Sequence, residues 1–151
     1  MKPIKICLTR FLDAQENSYV NAISELRAGK KQSHWIWYVF PQLKGLGQSY
    51  NSNFFGLSGL AEARAYLADP VLGYRLQESI KTMLMHSQND AALVLGEIDA
   101  LKFKSCLTLF SLAEPSEKLF VKALDYFYDG ARDKKTIALL QSLGEFLPKK
   151  Y

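Results

Sequence analysis

A chain of 151 residues with 48% hydrophobic and 23% charged residues has the size and balance of a single globular domain, which argues against a disordered or fibrous chain. No run approaches the roughly 20 apolar residues of a membrane helix, and two distant cysteines, Cys7 and Cys106, provide neither a disulfide framework nor a zinc set. The formal charge of +4 resides in the first 75 residues, with nine Lys/Arg against five Asp/Glu; the remainder holds ten of each. So small an excess is first read as ordinary surface lysines; it is compatible with an anionic ligand and too small to argue nucleic acid, which calls for a clustered basic stripe.

The opening Met1-Lys2-Pro3-Ile4-Lys5 has charge without the apolar core or cleavage site of a leader, so the expected location is the cytoplasm. Both cysteines sit among apolar neighbours and are expected reduced and buried, with a bridge between them as the alternative. Helical periodicity then dominates. Leu8, Phe11, Leu12 and Gln15 form a first amphipathic pattern, and Tyr19, Ala22, Ile23 and Leu26 a second. Asn17 or Ser18 is placed to cap the second, and Gly29 to end it.

From His34 to Phe40 the run is aromatic and β-branched, which by propensity alone reads as a strand. With helical patterns on both sides and Pro41 behind it, the better reading is a short helix capped by Ser33. Ser58 precedes an alanine-rich helix through Leu67. Asp69-Pro70 signals the start of another, with Leu72, Leu76, Ile80, Met83 and Leu84 on one face. A short helix runs from Asp90 to Gly96. Asp99 opens the next, whose Leu101, Leu107, Leu109, Phe110 and Leu112 leave it apolar over much of its girth, as suits a central helix. Leu119 to Phe127 supply a further face up to Gly130, and Asp133 begins the last helix, with Ile137, Leu140 and Leu143. The sequence thus predicts an all-α array of about eight short helices in one domain over residues 1–151.

The segment from Lys30 to Ser49 holds the most chemistry. Four of the eight residues from His34 to Pro41 are aromatic, and Lys30, Lys31, Gln32, Ser33, Gln42 and Ser49 flank them. Large apolar faces beside a few polar groups are what a small-molecule pocket requires. His34 has the near-neutral titration of a proton shuttle. Trp35 and Trp37 fall on different sides of a short helix, so one of them is expected to stack on a ligand. Gly45-Leu46-Gly47 permits close backbone approach but lacks the rest of a dinucleotide fingerprint.

Elsewhere, Asp13 and Glu16 share a helical face as an acid/base pair or as plain surface. Lys102 and Ser105 interrupt the most apolar helix, where a lysine needs a partner or must reach water. His86 reads as a helix-end residue facing the negative pole. No metal site and no cofactor is expected.

The phrases Phe11-Leu12-Asp13-Ala14-Gln15, Gly29-Lys30-Lys31-x-Ser33-His34-Trp35-Ile36-Trp37, Phe40-Pro41-Gln42-Leu43 and Gly45-Leu46-Gly47-x-Ser49 closely resemble the domain-of-unknown-function 1810 family of bacterial proteins. So do Ala61-Glu62-Ala63-Arg64-Ala65-Tyr66-Leu67, Pro70 to Leu76, Leu101-Lys102-x-x-Ser105 and Thr108-Leu109-Phe110. The likeness runs from about Leu8 to Leu143. It implies a single all-helical domain and carries no established activity. It singles out Asp13, Gln15, Lys31, Ser33, His34, Gln42, Ser49, Lys102 and Ser105; Tyr50 and Phe54 depart from its pattern.

Two functions follow as expectations. The first is a binder or hydrolase for an anionic, ring-bearing ligand such as a nucleotide or an ADP-ribose-like metabolite. In it His34 or Asp13 handles a proton, Lys31 neutralises phosphate, Trp35 or Trp37 stacks, and Ser33, Gln42, Ser49 and Gln15 complete the site. The second is a non-catalytic interaction module that presents the aromatic 34–40 segment to a protein partner. The first requires Lys31, His34, Gln42 and Ser49 to face one hollow.

Overall fold

In the computed structural model, which describes residues 6–88, 90–145 and 147, apolar periodicity becomes ten helices and no strand among those residues. The opening segment Met1–Lys5 lies outside them. The helices are α1 (Thr9–Glu16), α2 (Tyr19–Ala28), α3 (Ile36–Val39), α4 (Tyr50–Phe54), α5 (Leu60–Ala68), α6 (Leu72–Leu84), α7 (Ala91–Leu95), α8 (Glu97–Ala113), α9 (Leu119–Tyr128) and α10 (Lys134–Ser142). The all-α reading holds, and the count of eight is corrected to ten. One addition is α4, five residues too short for an apolar period to register; it forms because the Ser49 hydroxyl accepts the Ser52 amide at 3.1 Å.

α8 occupies the centre. Every residue from Ser105 to Ala113 is buried, and the helix packs against α5, α7, α9 and α10. A helix apolar all round is stable only when neighbours cover every face. Its first two turns differ, because Ile98 and Leu101 stand exposed at 72% and 66%, so Leu101 is not the core residue expected of it. The helix also begins at Glu97, two residues before Asp99.

Several expected caps are corrected. Ser33 does not cap α3, which starts at Ile36 behind Trp35, because Ser33 is bound elsewhere. Gly59, not Ser58, stands at the start of α5. Ser18 holds the N-cap position of α2 but donates its hydroxyl back to the Ala14 carbonyl. Asp133 does cap α10, its carboxylate accepting the Thr136 amide. Asp69 accepts the amides of Val71 and Leu72 at 2.9 Å. Neither cysteine is in a disulfide; Cys106 is buried as expected, whereas Cys7 is exposed.

At the end of α2, Gly29 takes φ +79°, and a Cβ there would lie 3.1 Å from the His86 ring. That ring bonds the Leu26 carbonyl at 2.8 Å. His86 therefore serves the negative pole of α2, not of the helix it follows in sequence.

The aromatic 34–40 segment is a bend and one helical turn laid against the core. Trp35, Ile36, Val39 and Phe40 are all at most 2% exposed. The Phe40 ring packs 4.6 Å from that of Phe103 on α8. Behind it, residues 42–57 leave the core and return, closed by paired backbone bonds: the Lys44 amide to the Leu57 carbonyl at 2.7 Å, and the Leu57 amide to the Gln42 carbonyl at 3.0 Å. This holds α4 beside the start of α8.

Candidate functional site

The loop between α2 and α3 is set by one carboxylate. Glu25 accepts the amides of Gln32 and Ser33 at 2.6 and 2.8 Å, the Ser33 hydroxyl at 2.6 Å and the Trp35 indole N–H at 3.0 Å. Burial by itself would raise this carboxyl. The bonds from the Ser33 hydroxyl, the two amides and the indole outweigh it and hold the group at about 2, because every one of them favours the charged form. Ser33 and Trp35 are thereby committed to structure.

A second carboxylate joins two lysines. Lys31 places its ammonium 2.8 Å from one oxygen of Asp99, 2.5 Å from the Ser33 carbonyl and 5.1 Å from the centre of the Trp35 ring. Its side chain is only 6% exposed. Lys102 lies 3.4 Å from the other oxygen and 4.7 Å from the centre of the Trp37 ring. Each lysine thus rests on an indole face, where the ring quadrupole attracts the cation. Lys31 is tightly neutralised; Lys102 is held more loosely. Of the two expectations for Lys102, a partner or a reach to water, both are met in part: Asp99 pairs with it, and its side chain is 24% exposed.

Around this centre lie two recesses. The smaller, about 560 Å³, is lined by Lys31, His34, Trp37, Glu97, Asp99 and Lys102 among others. The larger, about 600 Å³, lies between the 42–52 stretch, the start of α8 and the 131–135 stretch. Trp37, Ile98 and Lys102 line both and form the partition. The single hollow expected for Lys31, His34, Gln42 and Ser49 is therefore corrected. The first two face the smaller recess and the last two the larger.

The larger recess has an unusual lining. Of the four buried side-chain polar atoms without a hydrogen-bond partner among the described residues, three, Trp37 Nε1, Ser52 Oγ and Arg132 Nε, are on residues that line it, each atom lying just behind the recess surface. Indole and guanidinium nitrogens only donate. Five cations line the recess, Lys102, Lys104, Arg132, Lys134 and Lys135, against one carboxylate, Asp133. That carboxylate is already occupied, accepting the Ser105 hydroxyl at 2.9 Å, the Thr136 amide at 3.1 Å and the Thr136 hydroxyl. The Asp133 amide in turn donates to the Thr108 hydroxyl at 2.9 Å. The stretch carrying Arg132 is thus pinned to α8 from both ends of one residue. It leaves α9 through Asp129, whose φ of +53° is the one positive value at a non-glycine among the described residues.

The other expected site residues fall outside both recesses. Gln15 is buried on α1, donating to the Tyr38 carbonyl at 2.6 Å and the Tyr66 hydroxyl at 3.0 Å; it ties α1 to α3 and α5. Asp13 is exposed on α1 and lines neither recess, so it does not stand beside His34 to share a proton. Trp35 is walled in at 1% exposure, which leaves Trp37 as the indole able to meet a ligand. Gln42 lines the larger recess at 7% exposure, and Ser49 does so while capping α4. Sequence reasoning does not find Arg132, Ser52 or the Lys134–Lys135 pair, which lie outside the chemistry-rich segment 30–49. Ser105 was the one signal, a hydroxyl interrupting an apolar helix.

No helix among the described residues is long and apolar enough to cross a membrane. Comparison with known proteins gives a consistent picture. The chain shares 42% identity with a solved structure described as the conserved hypothetical protein Rv1873 from Mycobacterium tuberculosis. The likeness has a TM-score of 0.86 and covers 89% of this chain and 96% of that one. No curated protein matches. The family model described as "Protein of unknown function (DUF1810)" matches residues 5–140, and with nine-tenths of its length so matched the chain belongs to that family.

Proposed function

We propose that this protein binds an anionic, ring-bearing small molecule in the larger recess. The observation that carries the reading is the lining itself: Trp37, Arg132 and Ser52, each holding a buried polar atom without a hydrogen-bond partner among the described residues, together with four lysines. A buried donor left unpaired costs about 1–3 kcal/mol. Donors that cannot accept select a ligand rich in acceptor oxygens, and the surrounding charge favours anionic ones. Phosphate answers both requirements, and bidentate pairing with a guanidinium is its strongest mode. The Trp37 ring, with Ile98 exposed beside it, stands on the wall shared with the smaller recess and supplies an apolar surface for the ligand's ring.

Binding is favoured over hydrolysis because Asp13, the expected partner of His34, is exposed on α1 and lines neither recess. The interaction-module reading loses its surface, since four of the seven residues from His34 to Phe40 are buried. Titration calorimetry with AMP, ADP-ribose, ribose 5-phosphate and pyrophosphate tests the proposal. The expected result is binding of at least one, weakened about tenfold or more in Arg132→Ala, in keeping with the loss of a charged hydrogen bond. Absence of binding by all four at millimolar concentration overturns it.

A further inference from the structure

The two recesses differ in charge. The larger presents five cations against one engaged carboxylate. The smaller sets Lys31 and Lys102 against Asp99 and Glu97, a balanced set, with His34 at its edge. Asp99 is shared between the lysines, whereas Glu97 is exposed in the first turn of α8 and keeps its acceptor oxygens. Carboxylates repel a second phosphate and accept hydrogen bonds from hydroxyls. An indole face beside carboxylate acceptors suits a hydroxylated ring, whose C–H edges pack on the aromatic while its hydroxyls donate outward. Trp37, Ile98 and Lys102 line both hollows, so a ligand that reaches over these three side chains meets the lining of each.

Resting on the anion-binding reading of the larger recess, we infer that the ligand is a phosphorylated sugar straddling Trp37. Its phosphate lies among Arg132, Lys102 and the Trp37 indole N–H, and its hydroxylated ring lies toward Glu97 and His34. Lys102 is the cation common to both halves. Its 3.4 Å distance from Asp99, against 2.8 Å for Lys31, makes it the lysine that turns to the phosphate at least cost, leaving Asp99 paired with Lys31.

The test compares inorganic phosphate, ribose and ribose 5-phosphate by calorimetry on the full chain, in wild type, Glu97→Ala and Arg132→Ala. Ribose 5-phosphate is expected to bind at least tenfold tighter than phosphate. Glu97→Ala is expected to weaken ribose 5-phosphate about five- to tenfold while leaving phosphate unchanged, which also shows that the variant remains folded. Arg132→Ala is expected to weaken both. Equal affinity for phosphate and sugar phosphate, or no effect of Glu97→Ala on the sugar phosphate, overturns the straddling ligand and leaves the anion site standing. Failure of both phosphate compounds to bind overturns the anion site itself. Displacement of bound phosphate by ribose alone, which would place the ring in the larger recess, also overturns the inference.

Discussion

Trp35 gives its indole N–H to Glu25 at 3.0 Å, and the same carboxylate collects three further donors from Gln32 and Ser33. One acidic residue on α2 thereby sets the entry of the chain into α3 and the wall on which Lys31 rests.

Glu25 makes stability depend on acid. Its folded value, about 2, is depressed from 4.5, so the unfolded chain binds the proton more readily. The contribution is complete above about pH 4.5 and is lost as pH falls toward 2. With screening by solvent at this partly exposed site, it amounts to about 1–2 kcal/mol. Denaturant unfolding of wild type and Glu25→Gln should differ by that amount at pH 7 and converge near pH 2. A constant difference across that window would contradict the assignment.

Removing Asp99's charge should separate stability from binding. Asp99→Asn leaves the nearly buried Lys31 ammonium without its ion pair, and the melting temperature should fall by an amount equivalent to about 2 kcal/mol. Lys102 is released at the same time, so pyrophosphate affinity should rise severalfold. Thermal unfolding and calorimetry on one preparation give both numbers.

Trp37→Phe should behave in the opposite way. The ring wall remains, and a buried donor without a partner disappears, so the unliganded protein should lose no stability and should gain up to about 1 kcal/mol. Its affinity for ribose 5-phosphate should fall about fivefold or more. A large destabilisation would mean that the indole nitrogen has an internal partner.

The Ser105–Asp133 pair, 2.9 Å apart, is expected to position Arg132. Asp133→Ala loses the α10 cap and the Ser105 bond, a cost of about 2 kcal/mol, and should weaken phosphate binding although the wild-type carboxylate repels anions. Asp133→Asn, which keeps an acceptor, should restore most of the stability and bind phosphate more tightly than wild type. Equal or stronger phosphate binding in Asp133→Ala would show that the carboxylate acts on the anion by charge alone and does not hold Arg132.

The helices were readable where periodicity ran long. α6 and α9 emerge from their apolar faces, Gly29 ends α2 as its position predicts, in the left-handed conformation, and Asp133 caps α10. The 34–40 segment is ambiguous in sequence because aromatic and β-branched residues favour strand; it folds as a helical turn over Ile36–Val39, with no strand among the described residues to pair with it. Ser33 and Ser58 misled as caps because a hydroxyl's choice of partner depends on what folds beside it; for Ser33 that is Glu25, eight residues away.

The site divides along the same line. Local order along the chain determined the α-helical class and marked Lys31, His34, Trp37, Gln42 and Ser49 as polar or aromatic groups clustered within one short segment. It could not say that Trp35 turns inward, that Gln15 spends its amide on Tyr38 and Tyr66, or that Trp37 divides two hollows. Those outcomes, and the arrival of Arg132 from about ninety residues downstream, were decided only when α8 and the turn before α10 packed against the segment. Periodicity reports which face of a helix is apolar, but contacts between distant stretches depend on how several faces pair at once.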